Sequence, residues 1–207
     1  MAGVGTVHGR RMWVGTLGMV LGALLAACGG SAGNGATVDA SPGPGGAAAL
    51  PEPAGKPVVY QAFARLFGNT VTTNRPWGTA EENGVGRFAD FNDAALAGIR
   101  ELGTTHLWLT GVPRHALAAD YTAHGIPLDD PDVIKGRAGS PYAVTDYFDV
   151  NPDLAVDPAR RMDEFRELVA RVHGHGMRVM IDIVPNHVAR GYRSVMAPPG
   201  VRDFGAD

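Results

Sequence analysis

Apolar positions recur from residue 57 onward in five blocks, read in order as strand, helix, strand, helix, strand. Residues 57–67 are apolar and β-prone and are closed by the turn pair Gly68-Asn69. Residues 90–102 carry a helical period, with Phe91, Ala95, Ile99 and Leu102 on one face and Leu96 beside it. Asp90 or Asn92 caps that helix and Gly103 stops it. Residues 106–110 are a short run of strand formers. Asp157 then supplies an N-cap and Pro158 the first helical position. Met162, Phe165, Leu168, Val169 and Val172 make the buried stripe of this second helix, while Arg160, Glu164, Glu167 and Arg171 face water. Gly174 and Gly176 end it, and residues 177–184 read as a buried strand terminated by Pro185. Between the blocks, residues 111–156 show no regular period and read as a long loop, more often a binding feature than a connector.

Alternation of strand and helix is the mark of a parallel α/β arrangement. A doubly wound sheet and a (β/α)8 barrel both fit the order. Against the first, no Gly-x-Gly-x-x-Gly turn follows the first strand. For the barrel, the polar residues of interest lie just past the C-terminal ends of strands, where barrel sites are assembled. The expected fold is therefore a partial TIM (β/α)8 barrel: about its first three strands and two helices, over residues 58–207. A sheet of three such strands alone is expected to leave both edges and its inner face open, and not to fold as a stable monomer.

The N-terminal quarter has a different character. Arg10 and Arg11 precede an apolar run from residue 12 to residue 27, too short for a secure membrane span, that ends in Leu25-Ala26-Ala27-Cys28. This resembles a bacterial lipobox, so residues 1–27 are expected to be a lipoprotein signal peptide. Cys28 is expected to be lipidated, placing the mature protein in the cell envelope on the extracytoplasmic side of a membrane. Residues 28–57 hold much of the chain's glycine and proline, no aromatic residue and a single leucine, and read as a flexible tether. Cys28 is the sole cysteine, which excludes an intrachain disulfide and a cysteine metal cluster. A net charge of -3 with no basic block argues against nucleic acid as a partner.

The motifs of the folded part resemble the alpha-amylase superfamily, glycoside hydrolase family 13. Asp182-Ile-Val-Pro-Asn186-His187 is similar to that family's Asp-x-x-x-Asn-His region at the end of barrel strand three. Gly103-Thr-Thr-His-Leu-Trp-Leu109 is similar to its second strand, and Ser140-Pro-Tyr142-Ala-Val-Thr-Asp146-Tyr147 to the loop that brings a stacking tyrosine to the sugar. Asp153-Leu-Ala-Val-Asp157 is similar to the stretch before its second helix, with Ala155 where glycine is common.

The resemblance implies hydrolysis or transfer at α-glucosidic linkages of a starch-like or maltooligosaccharide substrate, by a retaining mechanism. His187 is then a hydrogen-bond donor to the sugar at the cleaved bond, and Tyr142 a stacking platform. Asp182, a carboxylate in an apolar strand that must be paired, supports the site through backbone and arginine, and Asp146 and Tyr147 hold the Tyr142 loop. Asn186 offers a hard oxygen suited to calcium or caps its loop. Trp108 is expected in the core, and Trp77 is a candidate for a more distant sugar subsite. The nucleophile and the acid/base of the family follow strands four and five, beyond Asp207, so the 207 residues alone are expected to be inactive. Two rival readings stay open at this stage: a non-catalytic glycan-binding envelope lipoprotein, and a metal-dependent hydrolase using Asp182 and His187 as ligands.

Overall fold

The computed structural model describes residues 50–202. Residues 1–49, with the expected signal peptide, Cys28 and most of the expected tether, and residues 203–207 lie outside the described residues. Three parallel strands form the main sheet: β1 (Val59–Phe63), β2 (His106–Thr110) and β5 (Arg178–Ile181), in the order β1-β2-β5. Val59 pairs with His106 and Leu107 with Val179, so the three strands start nearly level. A short helix, α1 (Ala80–Asn83), and α2 (Asp93–Glu101) connect β1 to β2; α3 (Arg161–Gly174) leads into β5. This is the expected α/β fold, a partial parallel barrel, in which β5 is the third barrel strand.

Register assigns the two faces. Tyr60, Leu107 and Val179 lie in one cross-strand row and pack toward the helices. There they meet Leu96 and Ile99 of α2, Leu168 and Val172 of α3, and Phe88, Phe91 and Met177 from the flanking turns. Phe67 stacks on Phe91 with ring centroids 4.0 Å apart, which closes the loop after β1 over this core. The opposite row, Gln61, Trp108 and Met180, faces the barrel interior. That face is open: Val59, Phe63 and Met180 are all exposed. Ile181 and Ile183 are exposed as well, so residues 177–184 are not the buried strand their composition suggests.

Asn92, not Asp90, caps α2, its side chain accepting the Ala95 N–H at 3.0 Å. Leu102 is exposed rather than on the buried face, because the helix ends at Glu101 and Leu102 is its C-terminal cap. Asp157 caps a single 3-10 turn, Pro158–Arg160, that feeds α3. Arg171 departs from its expected place in water: its guanidinium donates to the Phe88 and Phe91 carbonyls at 2.9 and 3.4 Å, tying α3 to the turn before α2. Part of the stretch expected to be a flexible tether is docked, with Arg178 donating to Leu50 O at 2.6 Å and pairing with Glu52 at 3.0 Å.

The long stretch after β2 is not without regular structure. It contains an antiparallel pair, β3 (Pro113–His115) and β4 (Val144–Val150), with bulges on both sides of Arg114. Period-two alternation is lost because β4 buries polar residues: Thr145, Asp146 and Asp149 are all enclosed. Gly139 shows how tightly the excursion folds back, since a Cβ there would lie 1.7 Å from Ala116 O. Among the described residues no helix is long and apolar enough to cross a membrane.

Candidate functional site

Asp182 follows directly on the last residue of β5, at the strand's C-terminal end. Its Oδ1 accepts from the Trp108 indole, and its Oδ2 is enclosed without a partner. Trp108 is accordingly a half-buried residue of the inner face, not part of the apolar core, and the donor to Asp182 is an indole rather than the expected arginine. Two residues on, Tyr147 of β4 grips the chain: its hydroxyl donates to Val184 O at 2.5 Å and accepts from Val184 N at 3.2 Å. Pro185 and Asn186 then turn, and both Asn186 and His187 are exposed.

The chain next runs along β4. Ala189 N–H donates to Val144 O at 2.8 Å and Arg193 N–H to Thr145 O at 2.9 Å. Asp146 closes the arrangement from beneath. Its carboxylate accepts from Val195 N at 2.7 Å and Phe148 N at 2.8 Å, and Arg114 reaches it at 3.2 Å. Arg114 also donates to Arg193 O at 2.7 Å. Asp146 is thus a buried clamp on both the β4 loop and the segment after β5. Tyr142, half exposed, lies two residues before Val144; His187 lies two residues before Ala189. Each of the two expected sugar contacts thus lies two residues before a partner in the Ala189–Val144 hydrogen bond.

The excursion also holds a charged core that sequence reasoning missed. Arg161 of α3 takes Asp149 in a bidentate grip at 2.7 and 2.9 Å. Arg114 Nε lies 3.2 Å from the same carboxylate, near enough for attraction but off-line for a hydrogen bond. Asp153 pairs with Arg65 and accepts from the Tyr121 hydroxyl at 2.6 Å. Burial, reinforced by that carboxylate, pushes the Tyr121 phenol well above its ordinary range. His115 is buried with Nδ1 and Nε2 each 3.1 Å from a backbone carbonyl, those of Pro113 and Ala138, and burial holds its imidazole below the usual value. No local pattern signals this network, because its partners come from separate elements: Arg65, Arg114, Asp149, Asp153 and Arg161.

A hollow of about 410 Å³ opens beside the segment after β5, lined by Arg114, Asp129, Arg190 and Arg193 among others, but by neither Tyr142 nor His187. Asp129 accepts from Leu117 N at 3.0 Å there, and burial raises its carboxyl pKa. As a calcium ligand Asn186 offers a single side-chain oxygen on an exposed turn. Among the described residues no group of three or more His, Cys, Asp or Glu stands together as a metal site. His175, at the end of α3, pairs with Asp93 of α2 at 3.0 Å.

Over 136 residues the chain is 30% identical to an intracellular maltogenic amylase of Bacillus subtilis, covering 63% of this chain and 19% of that protein. It is 30% identical over 137 residues to a pullulanase of Bacillus subtilis (strain 168), covering 63% of this chain and 18% of that one. The chain therefore spans less than a fifth of the length of these curated relatives. A solved alpha-amylase from Lactobacillus plantarum aligns with a TM-score of 0.43 and 31% identity, over 68% of this chain and 25% of that chain. The family model described as "Alpha amylase, catalytic domain" matches residues 81–196, a range that takes in α2, the excursion after β2, α3, β5 and the segment through His187. With more than half of its length inside that match, the chain belongs to the alpha-amylase catalytic-domain family.

Proposed function

We propose that the intact protein is a retaining glycosidase acting on α-glucosidic linkages of starch-like or maltooligosaccharide substrates. One observation carries the reading: the family match, residues 81–196, takes in the segment after β5 that Tyr147, Val144 and Asp146 hold along β4. The names of the two relatives, a maltogenic amylase and a pullulanase, support the substrate class.

In this reading Tyr142 covers the apolar face of a sugar ring, and the exposed His187 donates to a hydroxyl of the sugar at the cleaved bond. Asp182 positions this wall through Trp108, and its enclosed Oδ2 takes a donor from the strand that follows β5. The nucleophile and the acid/base come from strands after β5, as two carboxyl groups about 5 Å apart. Asn186 would contribute one hard side-chain oxygen to a calcium ion, which would brace the segment after β5. Residues 1–27 act as a signal peptide and residues 28–57 as a tether. Lipidated Cys28 holds the enzyme in the envelope, on the extracytoplasmic side.

The test of the reaction is to follow anomeric protons by NMR while the intact protein degrades maltoheptaose. Initial release of the α-anomer is expected. Initial β-anomer would contradict retention, and glucan binding without turnover would favour a non-catalytic glycan-binding protein. For the anchor, labelled palmitate should enter the wild type and be lost in Cys28→Ser; label retained by the variant would remove that part of the proposal.

A further inference from the structure

Arg75, Pro76, Trp77 and Gly78 form a turn closed by a 2.9 Å hydrogen bond from Gly78 N–H to Arg75 O. Trp77 occupies its third position with φ of +57°. A turn with proline second and a left-handed third residue is type II, and its third place suits glycine or asparagine, because a Cβ crowds the backbone there. A tryptophan at that place is strained. The surroundings hold it nonetheless. The Asn83 side chain accepts the Arg75 N–H at 2.7 Å and donates to Arg75 O at 2.9 Å, copying a strand pairing. Gly78 packs so closely on Asn83 that a Cβ would lie 2.5 Å from its amide nitrogen. Arg137, from the excursion after β2, donates to Trp77 O at 2.8 Å.

Burial of the indole does not offset this strain, since Trp77 is 60% exposed. It borders a hollow of about 210 Å³ whose walls include Arg65, Asn69, Lys135 and Arg137. Both loops that build the hollow leave the C-terminal ends of barrel strands, β1 directly and β2 by way of the excursion, the same end from which residues 182–187 depart. A flat apolar plate beside cationic and amide groups matches a sugar ring, which has a C–H face to cover and hydroxyls to receive hydrogen bonds. Strain that persists in an exposed residue, over-determined by its neighbours, marks a functional position.

We propose that Trp77 is the platform of an outlying glycan subsite, which takes a glucose ring of an α-glucan chain extending beyond the sugars held at Tyr142 and His187. The proposal rests on the α-glucan reading above, and its test separates the two. Affinity electrophoresis of the intact protein through gels with and without soluble starch reads binding independently of turnover. Hydrolysis of maltotriose and maltoheptaose reads chain-length preference. Trp77→Ala should lower the maltoheptaose-to-maltotriose ratio of kcat/KM by about fivefold or more and weaken retardation by starch, whereas Trp77→Phe should retain most of both. Trp77→Gly should lose the same binding yet raise Tm, because glycine relieves the turn. An unchanged ratio in Trp77→Ala would overturn the subsite while leaving the proposed reaction in place. A lower Tm in Trp77→Gly would overturn it too, making the indole a structural anchor. A wild type that starch does not retard would also overturn it, and maltotriose hydrolysis by that same preparation would show the reaction itself standing.

Discussion

Beneath α2 and α3 the enclosed side chains are Leu96, Leu107, Leu168 and Val172; the excursion after β2 adds to enclosed apolar residues such as Val144 and Leu154 a second, charged group, Arg114, Asp146, Asp149 and Asp153. The first group is held by area removed from water, which is strong but without direction. The second is held by hydrogen bonds and ion pairs, which tolerate little change of angle. The difference matches what each region has to do. The apolar side fixes the height and register of three strands. The charged side aims a single segment: Asp146, Arg114 and Tyr147 all hold chain between Val184 and Val195, on either side of His187. Charges are costly to bury unless paired, so such a core is stable only while every partner is present.

Three experiments press on that contrast. Asp149→Ala should have the largest effect, about 3–5 kcal/mol of stability in urea unfolding of the intact protein, because it leaves the largely buried Arg161 without its carboxylate and Arg114 with Asp146 alone. Amide exchange at Ala189 and Arg193 should quicken more than in α2. A cost under about 1 kcal/mol would mean that the charged core is not what holds the excursion. Leu168→Ala should cost roughly 3 kcal/mol through lost contacts and a residual cavity. It should leave the Ala189 and Arg193 amides no more mobile than the rest, and selective loosening there would merge the two regions into one.

Acid should act mildly and on the charged side alone, through His115. Its folded pKa lies below the unfolded value near 6.5, so the unfolded chain binds the proton more readily. Stability is then fully present above that value and falls as pH drops through it. The urea midpoint should decrease between pH 7.5 and 5.5, by less in His115→Gln, which keeps a donor for one of the two carbonyls. An equal decrease in both proteins would assign the pH response elsewhere.

The same contrast explains what could be read from the residues alone. Periodicity located α2, α3, β2 and the start of β5 to within a few residues, because in those elements burial and hydrophobicity coincide. It failed where they part. β3 and β4 bury charge and were read as loop, Leu102 is apolar but exposed past its cap, and Arg171 is charged but serves two carbonyls. At the candidate site, Asn186 and His187 were legible as lying past a strand, but Asp182 reads as a residue within that strand, whereas β5 ends at Ile181 and Asp182 is the first residue beyond it. The indole partner of Asp182 and the grip of Tyr147 on Val184 were not legible. They join residues 74 and 37 positions apart, and no local pattern encodes such a meeting.

The central claim is that the segment held against β4 forms a sugar-binding wall, with His187 and Tyr142 as its contacts. The most direct measurement is kcat/KM of the intact protein for maltooligosaccharides in His187→Ala and Tyr142→Ala. Loss of a positioned hydrogen bond at the reacting sugar should cost His187→Ala about tenfold or more, and Tyr142→Ala should lose less, mainly through packing and orientation. If both variants stay within about twofold of the wild type, the wall has been assigned to the wrong residues or the wrong substrate.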